Sequence, residues 1–194
     1  AEDLTAMSSA QIAGLTSAQI GALSTEQIVA IDSGDMKALS TSALRGLGTA
    51  AIAALTGEQV AALGSGQVAS LTTTQLAALE TADVVAMTTA QFGALSSTQT
   101  AAFTTAQVAA METADLRALS AVAVRGLGTD AIAALDSSQV AALSTGQIAA
   151  LTTAQVAAIE SADLAAMSGA QLRALSSAQL AALGSTQVGA LSTS

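Results

Sequence analysis

The feature that most constrains this chain is a pattern of eight residues that recurs from Met7 to Leu191. It is written twice without a gap, as STGQIAAL over residues 144–151 and as TTAQVAAI over residues 152–159. Self-similarity at a fixed short period indicates a repeat architecture, in which small equivalent units stack on one another. The chain also has only two aromatic residues, Phe92 and Phe103, so it must bury many small contacts in place of a few large ones.

Each repeat, called an octad here and named by its first residue, has two strictly apolar positions. The eighth position is always a large apolar residue, and the fifth is apolar except at Thr100. The seventh position is always Ala, Gly or Ser, as in Ala22, Gly46 and Ser70. The fifth and eighth positions are therefore predicted to form the core. A uniform demand for small size predicts a close backbone approach at the seventh.

Two other positions accept polar residues freely and are predicted to face solvent. The third position takes Glu26, Val122 and Asp130 among others. The sixth position is usually Ala, yet it holds every basic residue of the chain: Lys37, Arg45, Arg117, Arg125 and Arg173.

The beginning of each octad is typical of a helix start. The first position is Ser, Thr, Asp or Gly in most octads, and the fourth is mostly Gln. This is the capping box, in which the hydroxyl accepts an N3 amide and the Gln side chain returns to the N-cap amide. The glutamines could also form a side-chain ladder between successive coils.

We predict an all-α solenoid with one very short helix per octad. In one continuous helix, eight residues advance about 80° beyond two turns, so the apolar stripe would have no fixed face. A helix of about five to seven residues is unstable alone and must stack on neighbours. A β-solenoid is the alternative, favoured by Val, Ile and Thr but opposed by Ala, Leu and Gln.

A second period of 80 residues lies over the first. Asp35 and the residues that follow it resemble Asp115 and its followers, and Glu80–Asp83 matches Glu160–Asp163. We therefore expect residues 1–194 to be a single repeat array, and a segment of a longer one, because neither end carries a polar cap.

Four acidic octads begin at Asp32, Glu80, Glu112 and Glu160 and carry a second carboxylate at the fourth position. Their spacings share a step of 16 residues, which predicts two octads per coil. Two carboxylates three residues apart could hold a cation such as Ca²⁺. Calcium needs six to eight oxygens, however, and acidic residues suit helix N-termini in any case, so we predict no metal site.

The composition argues against enzymatic chemistry. The chain lacks His and Cys, so no triad, thiolate or common metal-ligand set can form, and we predict no catalytic residue and no cofactor. Five basic against 14 acidic residues argue against nucleic-acid binding. Polar residues interrupt every apolar run, so no membrane insertion is expected.

The strings LTTAQVAAI at residues 151–159 and LSTGQIAAL at residues 143–151 resemble the LTTAQ(V/I)AAL repeats of very large bacterial secreted or surface proteins. The resemblance covers essentially the whole chain and departs at Phe103, where the pattern has Leu. It implies an extracellular or cell-surface structural or adhesive role and carries no catalytic residue.

We therefore expect a structural segment, such as a stalk, spacer or filament-forming region, that contacts neighbouring repeats or associates end to end. The alternative is a binding module that presents a regular face, for example its rows of Ser and Thr hydroxyls, to a glycan, a protein or ice.

Overall fold

The computed structural model describes residues 7–191, which form an array of short helices. This part of the chain contains 22 α-helices, one 3-10 helix and no β-strand. The predicted all-α repeat is confirmed, and the β-solenoid alternative is wrong. No helix within these residues combines the length and apolar character needed to cross a membrane.

The helices fall into two compact units, residues 7–94 and residues 95–191. In the first unit each octad contributes one helix, and the octad at Asp32 contributes the 3-10 helix Ser33–Ala38. Its α-helices are α1 Ser9–Ala13, α2 Ser17–Gly21, α3 Thr25–Val29, α4 Thr41–Arg45, α5 Thr49–Ala53, α6 Gly57–Ala62, α7 Ser65–Val68, α8 Thr73–Ala78, α9 Thr81–Ala86 and α10 Thr89–Gly93.

The second unit repeats the arrangement with twelve α-helices. They are α11 Ser97–Thr100, α12 Thr105–Ala109, α13 Thr113–Ala118, α14 Ala121–Gly126, α15 Thr129–Ala133, α16 Ser137–Ala142, α17 Thr145–Ala150, α18 Thr153–Ala158, α19 Ser161–Ala165, α20 Gly169–Ala174, α21 Ser177–Ala181 and α22 Ser185–Leu191.

Helices begin as the capping pattern predicts. In octad 144, the Ser144 hydroxyl accepts the Gln147 backbone amide at 3.2 Å, and the Gln147 side-chain oxygen accepts the Ser144 amide at 2.7 Å. Leu143 and Ser144 are extended, with φ/ψ of −61°/137° and −69°/157°, and link one helix to the next. No described residue has a positive φ, so the chain turns between octads without a left-handed residue.

The single 3-10 helix has a local cause in the first acidic octad. The Asp32 carboxylate accepts the amide of Gly34, two residues on, at 2.8 Å, whereas the usual Ser or Thr cap accepts the amide three residues on. The tighter cap is followed by a tighter helix, Ser33–Ala38.

The predicted coil of two octads is wrong. Within each unit the helices that pack extensively belong to octads three apart, such as α6 with α9 and α14 with α17. Glutamine side chains reach four octads back, as from Gln147 to Leu116. One turn therefore takes between three and four octads. The 16-residue step failed because each acidic pair is accommodated within its own octad, so acidic octads need not share a side.

Three to four helices per turn also explain how two apolar positions of every octad are buried together. The fifth and eighth positions lie in the interior, as Ile148 and Leu151 show with 0% and 4% exposure. The third and sixth positions face outward, and all five basic side chains of the sixth position are exposed. The sequence prediction for these four positions is confirmed.

The seventh position makes the predicted close backbone contact. A Cβ at Gly126 would lie 2.8 Å from the carbonyl carbon of Ser97 and closer still to its oxygen. Ser97 occupies the second position of the octad three earlier, and Gly46 meets Ser17 in the same register. The small seventh residue therefore lets helices three octads apart approach each other.

We predict that Gly126→Ala lowers the free energy of unfolding by about 1–3 kcal/mol, because the new methyl meets rigid backbone. Gly128→Ser is the control, since a Cβ there meets nothing within 4 Å and Ser suits an N-cap. Chemical denaturation monitored by circular dichroism measures both. Equal losses in the two variants would contradict the assigned contact.

Candidate functional site

The most distinctive polar arrangement in the molecule is a bridge made by the glutamine at the fourth position. In octad 144, the Gln147 side-chain oxygen caps its own helix at Ser144. Its Nε2 donates to the carbonyls of Leu116 and Leu119 at 2.7 and 2.8 Å, four octads earlier. One buried amide thus satisfies a helix start in one turn and a helix end in another.

The bridge recurs in a fixed register in both units. The donor always reaches carbonyls 31 and 28 residues before it, at the fifth and eighth positions of the earlier octad. The glutamines that complete both bonds are Gln59, Gln67, Gln75, Gln91, Gln139, Gln147, Gln155, Gln171 and Gln179. The predicted ladder between coils is therefore present.

Some octads lack the bridging amide because Ala stands at the fourth position. They are the octads of Ala43, Ala51, Ala123 and Ala131, which follow the acidic octads of Asp35 and Asp115. Near Ala123 a different bond appears, since the Thr100 hydroxyl donates to the Ala123 carbonyl at 2.6 Å. Thr100 is the one polar residue at a fifth position, and it is buried.

The acidic octads bury their second carboxylate where other octads bury the glutamine amide. Asp83, Asp115 and Asp163 are at most 6% exposed. Asp163 accepts the Ser137 hydroxyl at 2.6 Å, and Asp83 accepts the Glu80 backbone amide at 3.3 Å. Asp35 is half-buried and accepts the hydroxyl of Ser9.

The first carboxylates of these octads, on Asp32, Glu80, Glu112 and Glu160, are exposed at the helix starts. Among residues 7–191 no group of three or more acidic side chains comes together in a way that could hold a metal ion. The structure places the two carboxylates of each octad near each other and leaves the four octads apart.

Burial changes the acidity of two of these groups. The pKa of Asp115 is raised to about 6, chiefly by burial and further by the negative charge of Glu112, against the lowering effect of a hydrogen bond from the Glu112 backbone. The pKa of Asp83 is also raised, chiefly by burial. A raised carboxyl pKa means that the folded state favours the protonated form.

An open groove of about 560 Å³ lies between α11 and α14 in the second unit. Its lining consists of Ser97, Thr98, Ala101, Val122, Arg125 and Gly126. Val122 is 66% exposed, unusually for so large an apolar side chain in this chain. Sequence reasoning identified Val122 and Arg125 as exposed but missed that they share a groove, because the three-octad packing was not foreseen.

The repeat itself identifies the family. The model of the ALTTAQ repeat matches residues 1–30, 28–65, 76–112, 108–145 and 156–193, which is most of the chain. The chain belongs to the ALTTAQ repeat family. In the ALTTAQ octad, the residue that bridges the turns is the final Gln of the motif. A comparison with curated proteins finds no match.

We predict that Gln147→Glu lowers the free energy of unfolding by about 2–3 kcal/mol, because two buried carbonyls lose their donor and face a carboxylate. Gly146→Glu adds the same charge at the exposed third position of the same octad and should change stability by less than about 0.5 kcal/mol. Thermal and chemical unfolding would measure both, and similar effects of the two substitutions would refute the bridge.

We predict that Asp115→Asn raises the thermal midpoint by about 2–4 °C at pH 7.5 and changes it little at pH 4. The pKa of Asp115 is about 6 in the folded state and 3.8 in the unfolded reference, so its favourable contribution is complete below pH 3.8 and is lost as pH rises through 6. Asp130→Asn, at an exposed third position, is the control. A benefit of equal size at both pH values would contradict this assignment.

Proposed function

We propose that this chain is a structural repeat segment, a stalk, spacer or filament-forming region of a bacterial extracellular protein. The observation that carries the proposal is the bridging glutamine, which ties octads four apart in one register throughout both units. Such a nearest-neighbour architecture gains stability by adding units and needs no special residue elsewhere. Its conserved geometry serves cohesion between turns.

The outward positions support a structural role. The third and sixth positions carry mostly Ala with scattered charges, so they form a weakly differentiated surface. The residues that are most uniform from octad to octad, at the fourth, fifth and eighth positions, are buried instead. We propose no enzymatic activity, because the chain offers no nucleophile paired with a base.

The extracellular location rests on the resemblance to large bacterial secreted and surface proteins. The absence of Cys and the acidic balance of 14 acidic against five basic residues are compatible with it. Antibody labelling of intact producing cells, with and without external protease, tests the location. Labelling that appears only after permeabilisation would contradict it.

The structural role is tested by comparing a ladder variant with a surface variant in the producing bacterium. We predict that Gln147→Glu with Gln155→Glu weakens the surface assembly or attachment phenotype. Val122→Thr with Arg125→Ala, which alters an exposed groove, should leave the phenotype unchanged. Electron microscopy of the cell surface and an attachment assay give the readout, and the opposite ranking would favour a binding module.

A binding module is the second candidate, and the groove between α11 and α14 is the observation that favours it. Val122 offers an exposed apolar surface, and Arg125 offers a guanidinium on the same wall. This chemistry suits an acidic glycan or an acidic peptide. Calorimetric titration with oligouronates and acidic peptides, with Arg125→Ala as control, tests it. No heat of binding that depends on Arg125 would remove this candidate.

A further inference from the structure

Three glutamines in the first octads complete only half of the bridge. Gln11 and Gln19 cap their own helices through Oε1, which accepts the amides of Ser8 at 2.8 Å and Thr16 at 2.9 Å. Gln27 does the same at Ser24. The Nε2 groups of these three side chains have no acceptor among residues 7–191, whereas the equivalent group of Gln59 has Ile28 and Ile31.

The same octads are also less well covered than later ones. Gln11 and Gln19 are exposed, whereas the nine bridging glutamines are buried. Leu15 and Leu23, at the eighth position, are half-buried, and Leu63 at the same position is 4% exposed. This face of the first unit, formed by octads 8, 16 and 24, is called the donor face.

The last octads present the complementary half. The carbonyls of Met167, Leu175 and Leu183 stand at the eighth position, where earlier octads accept a glutamine Nε2, and no donor among residues 7–191 reaches them. Leu180 and Val188, at the fifth position, are 44% and 52% exposed, although this position is otherwise a core position. This face of the second unit, formed by octads 160 to 184, is called the acceptor face.

We propose that the donor face of one copy binds the acceptor face of a second copy, through the bridge that joins octads inside each unit. The glutamine amides of three successive octads would donate to the carbonyls of three successive octads in the partner copy. The partner is identified by the register, because the interior bridges show which atoms this Nε2 binds and at what spacing. This inference rests on the proposed structural function and names its partner.

The interface has the composition expected for association in water. The carbonyls and amides on the two faces pair with each other, and Leu180 and Val188 of one copy are covered by the half-buried Leu15 and Leu23 of the other. Because the two faces differ, the contact is heterologous and does not close on itself. Each bound copy leaves one donor face and one acceptor face open, so association continues as a filament.

Sedimentation equilibrium of the 194-residue chain over a range of concentrations tests the proposal. We expect assembly that grows with concentration. Gln19→Glu should weaken the association constant about tenfold or more, because the carboxylate keeps the cap at Thr16 but cannot donate to a carbonyl. Ala18→Glu, the neighbouring exposed third position, adds the same charge and should leave assembly unchanged.

Two further measurements separate docking from folding. The thermal midpoint of dilute Gln19→Glu should equal that of the parent, because no acceptor within residues 7–191 is lost. Leu180→Glu should block the acceptor face, and a mixture of this variant with Gln19→Glu should stop at heterodimers, since each variant retains one intact face.

A chain that stays monomeric at every concentration overturns the docking proposal and leaves the structural role standing. Assembly that Ala18→Glu and Gln19→Glu reduce equally, or a variant mixture that grows beyond dimers, also overturns it. A loss of surface phenotype in the groove variant described above would instead overturn the proposed function.

Discussion

The structure depends on one side-chain amide that does the work of a helix cap at both ends. A helix of four to seven residues leaves most of its backbone groups without an intrahelical partner, because the first four amides and last four carbonyls lie outside the ladder. The oxygen of Gln147 takes an amide at its own helix start, and its nitrogen serves the carbonyls of Leu116 and Leu119. Helices this short are stable because each supplies what another lacks.

The same bridge explains which variations the octad tolerates. Asp at the fourth position keeps a cap acceptor and loses the donor, and burial then favours its protonated form, as the raised pKa of Asp115 shows. Ala at this position loses both functions, and these octads are confined to two short runs. The third and sixth positions touch no other turn, so charges and even Val122 are accepted there.

Much of this could be predicted from the sequence, because the octad period, the capping box and the apolar fifth and eighth positions are local signals. The number of octads per turn could not, since it depends on how helices three apart fit at Gly126 and Ser97. The groove beside Val122 and Arg125 escaped for the same reason, because its walls come from octads 24 residues apart. The burial of Asp163 against Ser137 is likewise a consequence of the coil.

Hydrogen exchange of the glutamine side-chain amides, measured by nuclear magnetic resonance on the assigned monomer, tests the bridge most directly. The account predicts that the Nε2 protons of Gln147 and Gln155, which are buried and donate to two carbonyls, exchange far more slowly than those of Gln19, which is exposed. Exchange at the rate of a free amide for all three residues would contradict the account.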